Sequence, residues 1–227
     1  MKTSPTLVDL AHIRAELERG CRVALLIRHS ERPAIRTDDK DFGRFLGLTP
    51  HGIELARTAG ARLAGVTDAH LFASPMTRCQ ATARHFAEGM GIPHPIVTDA
   101  EQLGVRGFFY DDCHAVQEHM RRQGYIAYML DYLRDGTAPA SRPLIPAAEQ
   151  FARWLQQQAT ARLSVFVSHD IFIAAFLTGL KIRTYTAADW VGFLHGAALI
   201  DDPATGWTCH AFAPDLADAQ RPSPFAD

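Results

Sequence analysis

The apolar residues of this chain fall into two patterns. Three short runs, VALLI at 23–27, HLFAS at 70–74 and SVFVS at 164–168, are apolar without alternation. Runs of that kind predict strands buried on both faces, as in a parallel sheet under helices. Elsewhere apolar positions recur every three to four residues. Leu7, Leu10, Ile13 and Leu17 predict an amphipathic helix over 7–19, and further helices are predicted over 50–63, 76–90 and 171–180. Pro50 opens the second of these, where its missing N–H costs nothing. Such alternation predicts an α/β fold: a three-layer α/β/α sandwich with a mostly parallel central sheet, built as one domain over 1–227.

Between 108 and 162 the pattern changes. Tyr125, Tyr128, Met129, Tyr132 and Leu133 make an apolar stripe, followed by a loop over 136–146 and another helix to about 159. This small helical insertion reads either as ordinary packing helices or as a cap over a site at the sheet edge. GAALIDD and GWTCHAF, flanking 203–205, predict an antiparallel strand pair, and 214–227 reads as a tail.

Composition narrows the function more by exclusion than by assignment. The chain has 227 residues, 47% of them hydrophobic, enough for a substantial core. A net charge of -2 gives no basis for non-specific nucleic-acid binding, so an anionic ligand has to be met by a local basic cluster. Apart from Lys2, Lys40 and Lys181 the basic residues are arginines, whose planar fork suits phosphate. Four cysteines without C-x-x-C spacing, and no H-x-x-x-H or H-x-E helix motif, give no expectation of a zinc site, a redox pair or any cofactor. The first residues carry no apolar run of signal-peptide type, and no stretch is apolar enough to span a membrane. The expectation is a soluble cytoplasmic protein without nucleic-acid or membrane partners.

Each apolar run ends in polar residues: Arg28-His29-Ser30, Ser74-Pro75 and His169-Asp170. Ligands of α/β sheets bind beyond the carboxyl ends of the strands, so the three clusters are expected at one edge. Transfer from a phosphate monoester needs donors around three oxygens, an in-line nucleophile and a proton for the leaving alcohol. A neutral histidine can be that nucleophile when its other ring nitrogen is held by a hydrogen bond. Arg28 beside His29 offers a charge and a nucleophile together.

Four ordered segments, LLIRHSERP, LTPHGIELA, SPMTRCQATARHFAEGM and VFVSHDIFIAAFL, resemble the histidine phosphatase superfamily, which holds phosphoglycerate mutases, acid phosphatases and phytases. The likeness spans 23–180. It implies a metal-independent phosphomonoester hydrolase that acts through phosphohistidine on a small phosphorylated molecule. A phosphomutase of the same family and a non-catalytic phospholigand-binding protein are the alternatives.

Carried over residue by residue, the resemblance makes His29 the nucleophile, Arg28 and Arg78 the clamp, and His169 a donor to a phosphate oxygen. It places Arg32 and Ser30 against substrate, Arg32 matching a pocket arginine of the acid phosphatase and phytase branch. Ser30 stands where the family has Gly, Pro33 falls one place early for that branch, and Leu55 replaces a Gln. The family takes its general acid from one of two places: an acid two residues after a Leu beyond the second arginine, or an Asp after the second histidine. If Leu103 is that Leu, Val105 fills the acid position and Glu101 is four residues out of register. Asp170 is therefore assigned as general acid, with Glu101 as the alternative. Arg36, Lys40, Arg44 and Arg106 read as contacts to a second anionic group or as a solvated basic loop. Phe108, Phe109 and Tyr110 read as pocket lining or core.

Overall fold

A computed structural model describes residues 1–35, 43–104 and 106–216. The chain runs β1 (Lys2–Val8), α1 (Leu10–Glu18), β2 (Arg22–Arg28), α2 (Pro50–Ala61), β3 (Ala69–Ala73), α3 (Thr77–Gly89) and β4 (Val97–Asp99). It continues through α4 (Cys113–Gln123), α5 (Tyr125–Asp135), α6 (Leu144–Gln158), β5 (Leu163–Ser168), α7 (Asp170–Gly179), β6 (Gly196–Asp202) and β7 (Gly206–Phe212). The strands form one sheet in the order β1-β7-β6-β2-β5-β3-β4. β6 runs antiparallel to β2 and β7, and every other pairing is parallel.

The unalternating runs are explained by helices on both faces. Successive strand side chains point to opposite sides. Val23, Leu25 and Ile27 of β2, with Val165 and Val167 of β5, join a core with Ile13, Leu55 and Phe86 from α1, α2 and α3. Ala24, Leu26 and Phe166 face the other way and pack with Tyr132, Phe151 and Phe176 from α5, α6 and α7. The region over 108–162 shares this second core, and α6 lies against α7.

Several boundaries differ from the sequence reading. Leu7 is an exposed residue of β1, and α1 begins at Leu10 because the Asp9 carboxylate caps it by accepting from the His12 N–H at 2.8 Å. α6 begins at Leu144, inside the expected loop. Pro146 lies in its first turn, where no intrahelical bond needs the missing N–H. β4 and the 3₁₀ turn Glu101–Leu103 are each three residues long, too short to show a period. Pro214, Asp215 and Leu216 are irregular, and the rest of the expected tail lies outside the described residues.

α2 and α3 cross at two glycines. A Cβ on Gly60 would lie 1.9 Å from the Phe86 carbonyl oxygen, and one on Gly89 would lie 2.1 Å from that of Arg57. Both contacts are with backbone, so a side chain can be accommodated only by moving a helix. Gly60→Ala is expected to destabilise by roughly 3 kcal/mol through overpacking. For a chain of this size that lowers Tm by about 6–12 °C. Thermal unfolding followed by circular dichroism measures it, and an unchanged Tm would contradict this crossing.

Candidate active site

The sheet register brings the polar clusters together. Arg28 ends β2 opposite Ser168, the last residue of β5. The chain stays in register past the strands, since the His29 N–H donates to the Ser168 carbonyl at 3.0 Å and the Ser74 N–H to that of Val167 at 3.0 Å. His29, Ser74 and His169 therefore leave adjacent strand ends, and the rings of His29 and His169 lie edge to face with centroids 5.6 Å apart.

His29 is 2% exposed, and its Nδ1 lies 2.8 Å from the Ser30 carbonyl oxygen. A carbonyl only accepts, so the Nδ1–H donates and the lone pair resides on Nε2. Burial, then the charges of Arg78 and Arg28, hold the imidazole pKa well below its ordinary value of 6.5. His29 is thus neutral with its tautomer set. The loop carrying it is anchored on both sides: the Ser30 N–H donates to Thr82 Oγ1 at 2.9 Å, and Ser30 Oγ donates to the Gly52 carbonyl at 2.7 Å. A Cβ on Gly52 would meet the Glu31 carbonyl oxygen at 2.2 Å, so the Gly of LTPHG lets α2 lie against this loop. The hydroxyl proton of Ser30 is committed to Gly52, which makes Ser30 an anchor of this loop.

Three arginines converge here. Arg28, Arg32 and Arg78 are 1%, 5% and 5% exposed. Arg28 donates from Nη1 to the Val191 carbonyl, reaches Asp170 Oδ2 from Nη2 at 3.2 Å, and stacks over Phe193 with 4.5 Å from guanidinium carbon to ring centroid. Arg78 donates to the Gly43 carbonyl at 2.7 Å and to His169 Nδ1 at 3.4 Å. His169 therefore carries its proton on Nε2, directed at Ser74 Oγ 3.1 Å away. Burial, Arg78 and Arg28 lower the Arg32 pKa to about 10, and burial lowers that of Arg78. The Nε atoms of Arg28 and Arg78 are buried and have no hydrogen-bond partner among the described residues. Arg28 among these arginines faces the buried Asp170 carboxylate.

Asp170 begins α7, at the position from which the general acid is expected. Its Oδ1 accepts from Tyr125 Oη at 3.0 Å and from the Ile171 N–H at 3.0 Å. Oδ2 accepts from Trp190 Nε1 at 3.1 Å and faces Arg28. Burial alone would raise its pKa, but Arg28 and the Tyr125, His169 and Trp190 contacts outweigh burial and hold it below the ordinary 3.8. The geometry makes Asp170 an ionised counter-charge for Arg28. Glu101 is exposed and paired with Arg106 at 3.1 Å. Val105, Arg36 and Lys40 lie outside the described residues. Phe109 and Tyr110 are buried in the core, and Phe108 packs against Phe151.

Sequence reading missed Tyr125, Trp190, Phe193 and Thr82. Tyr125 falls in an apolar stripe, where its hydroxyl gives no signal. The dense apolar run WVGFL at 190–194 falls between a helix and a strand and was left unassigned. Leu194 there adopts φ 60°, a left-handed backbone uncommon without Gly, where its N–H donates to the Arg28 carbonyl at 3.2 Å.

A model of the histidine phosphatase superfamily (branch 1) matches residues 24–199. None of the curated proteins matches the sequence. Among solved structures, mycobacterial glucosyl-3-phosphoglycerate phosphatase is similar with a TM-score of 0.51 and 17% identity, over 89% of this chain and 100% of that one. Mycobacterial hydrolase 2 gives 0.53 and 19%, over 89% and 94%. A phosphoglycerate mutase from Bacillus anthracis str. Sterne gives 0.52 and 10%, over 84% and 92%. At these identities the likeness is one of fold. None of the three is named an acid phosphatase or a phytase, and that finer resemblance rests on Arg32 alone.

The buried histidines make stability depend on pH. His29 and His169 both have folded pKa values depressed below 6.5, so the unfolded chain binds protons that the folded chain refuses. Stability is present above about pH 6.5 and is lost as pH falls below it. Tm is expected to drop between pH 7.5 and 5.5, less steeply in a His29→Gln/His169→Gln variant. His195, held at about 4 by burial, keeps part of the slope in both proteins. Equal slopes would show that the two site histidines are not buried neutral.

Proposed function

The chain belongs to the histidine phosphatase superfamily, and on that premise we propose that it is a metal-independent phosphomonoester hydrolase working through a phosphohistidine at His29. The observation that carries this reading is the state of His29: neutral, with Nδ1–H spent on Ser30 and Nε2 free beside three buried guanidinium groups. That is the arrangement an in-line attack on phosphorus requires. A phosphate dianion suits this cluster of buried cations, because its charge offsets the burial that depresses Arg32 and Arg78.

In the proposed reaction Nε2 forms a bond to phosphorus as the bond to the ester oxygen breaks, and the leaving oxygen takes a proton from solvent, which the attacking water of the second step gives back. Water then attacks the phosphohistidine and regenerates neutral His29. Arg28, Arg32 and Arg78 balance the charge on the equatorial oxygens, and the Nε2–H of His169 turns from Ser74 to one of those oxygens. The substrate is a small phosphorylated molecule. A phosphomutase would share the first half-reaction and differ in passing the phosphoryl group to substrate instead of water, so release of inorganic phosphate separates the two. A binding protein without catalysis would have no use for an oriented nucleophile.

Mixing the protein with a labelled phosphate ester and quenching in alkali is expected to trap acid-labile label on His29, and EDTA is expected to leave turnover unchanged. A His29→Ala variant with full activity would sink the assignment. Arg78→Ala is expected to lower kcat/KM by on the order of 10²–10³, the size of losing a preorganised donor to transition-state charge. Arg78→Lys should recover little of it, because lysine lacks the fork. Near-unaltered kinetics in Arg78→Ala would remove Arg78 from the clamp.

A further inference from the structure

We propose that Tyr125 is a positioning residue for the anion clamp: its hydroxyl acts through Asp170 to fix the guanidinium of Arg28, and so ties the helical segment over 113–135 to the reacting end of the site. The proposal rests on reading Arg28 as part of a phosphate clamp. Tyr125 is the first residue of α5, and the chain is turned into that helix at Gly124, whose φ of 95° favours glycine. That turn delivers the Tyr125 hydroxyl to Asp170 Oδ1 at 3.0 Å, across 45 residues of sequence.

The geometry makes the contact consequential. Asp170 is 4% exposed, and each of its oxygens accepts two donors: Tyr125 and the Ile171 N–H on Oδ1, Trp190 and Arg28 on Oδ2. Four donors fill the acceptor sites of a carboxylate, so its plane is fixed. Arg28 is then held on two sides, by Val191 at Nη1 and by Asp170 at Nη2, with Phe193 beneath, and the remaining edge of its fork is left for an anion. Without the Tyr125 hydroxyl, Oδ1 keeps only the N–H of the adjacent residue. The carboxylate can then turn, and Arg28 loses one of its two anchors.

A second consequence follows from charge. The groups facing Asp170 are Arg28 from β2, Arg32 from the loop after it, Arg78 from α3, His169 beside it, and Tyr110 and Tyr125 from the helical side. A phosphate dianion entering this group favours protonation of Asp170. The donors on its two oxygens oppose that uptake, since a tyrosine or indole donor stabilises the charged form. Removing one donor makes anion binding draw a proton onto Asp170, which a purely structural tyrosine would not do.

The test uses the full chain with inorganic phosphate as the binding probe and 4-nitrophenyl phosphate as the activity probe. Calorimetric titration at pH 5.5 in two buffers of different ionisation enthalpy reads the protons exchanged on phosphate binding. Tyr125→Phe is expected to take up more protons than the unaltered protein and to lose roughly tenfold in kcat/KM, the scale of one hydrogen bond to a charged group. Both effects should vanish when Tyr125→Phe is placed in an Asp170→Asn background, which has no carboxylate to hold. Trp190→Phe, which removes a donor from the other oxygen, should repeat the signature and covers the case of a poorly folding Tyr125 variant. Equal proton exchange, or a Tyr125→Phe loss that persists undiminished beside Asp170→Asn, would overturn the proposal. Phosphate binding without turnover in the unaltered protein would defeat the hydrolase reading and leave this one measured, whereas no phosphate binding at all would defeat both.

Discussion

The constraint on which this structure turns is the burial of three guanidinium groups at the ends of neighbouring strands. Arg28, Arg32 and Arg78 are each at most 5% exposed, and the Asp170 carboxylate is buried with them. Taking like charges out of water together is costly, and the fold meets the cost with fixed acceptors. Arg28 is given to Val191 and Asp170, Arg78 to Gly43 and His169, and Arg32 to the Pro33 carbonyl. Each arginine is thereby oriented. Burial first, and then the charge of Arg78, keeps His29 and His169 neutral beside these arginines.

Geometry for that burial comes from elements that hold no substrate. The parallel register of β2, β5 and β3 puts residues 28, 168 and 73–74 at one level. α2 reaches the nucleophile loop because Gly52 has no side chain, and α3 reaches it through Thr82, whose hydroxyl donates to the Arg78 carbonyl at 2.7 Å and accepts from the Ser30 N–H. Thr82 thus joins the loop that carries His29 to the helix that carries Arg78. The contacts of α2 with α3 through Gly60 and Gly89 keep these two supports at a fixed spacing. Packing far from phosphorus and precision near it are coupled in this way.

Asp170 shows how the donors around a residue bear on what it can do. At a helix start beside a histidine, an Asp satisfies the pattern of a proton donor. With Tyr125, Trp190, Ile171 and Arg28 around it, the same side chain is an acceptor only. Ser30 is a parallel case: placed against the anion by its position in the motif, it is turned by Gly52 into an anchor for the loop.

What the sequence determined by itself is what depends on short-range periodicity and on residues contiguous in the chain. The runs at 23–27 and 164–168 had to be doubly buried strands, the run at 70–74 is a strand whose His70 is exposed, the segments after 50, 76 and 171 had to be helices, and Arg28-His29, Arg78 and His169-Asp170 lay at their junctions. Tertiary structure alone decided where side-chain hydrogen bonds go, because those partners are separated by tens of residues and follow no period. It set the tautomer of His29, paired Tyr125 with Asp170, and brought the 190–195 loop under Arg28. It also drew the first strand out of an amphipathic pattern, since edge residues such as Leu7 are exposed whatever their hydrophobicity. A motif names the groups that can do the chemistry, and the electrostatic partners supplied by the fold decide what each group does.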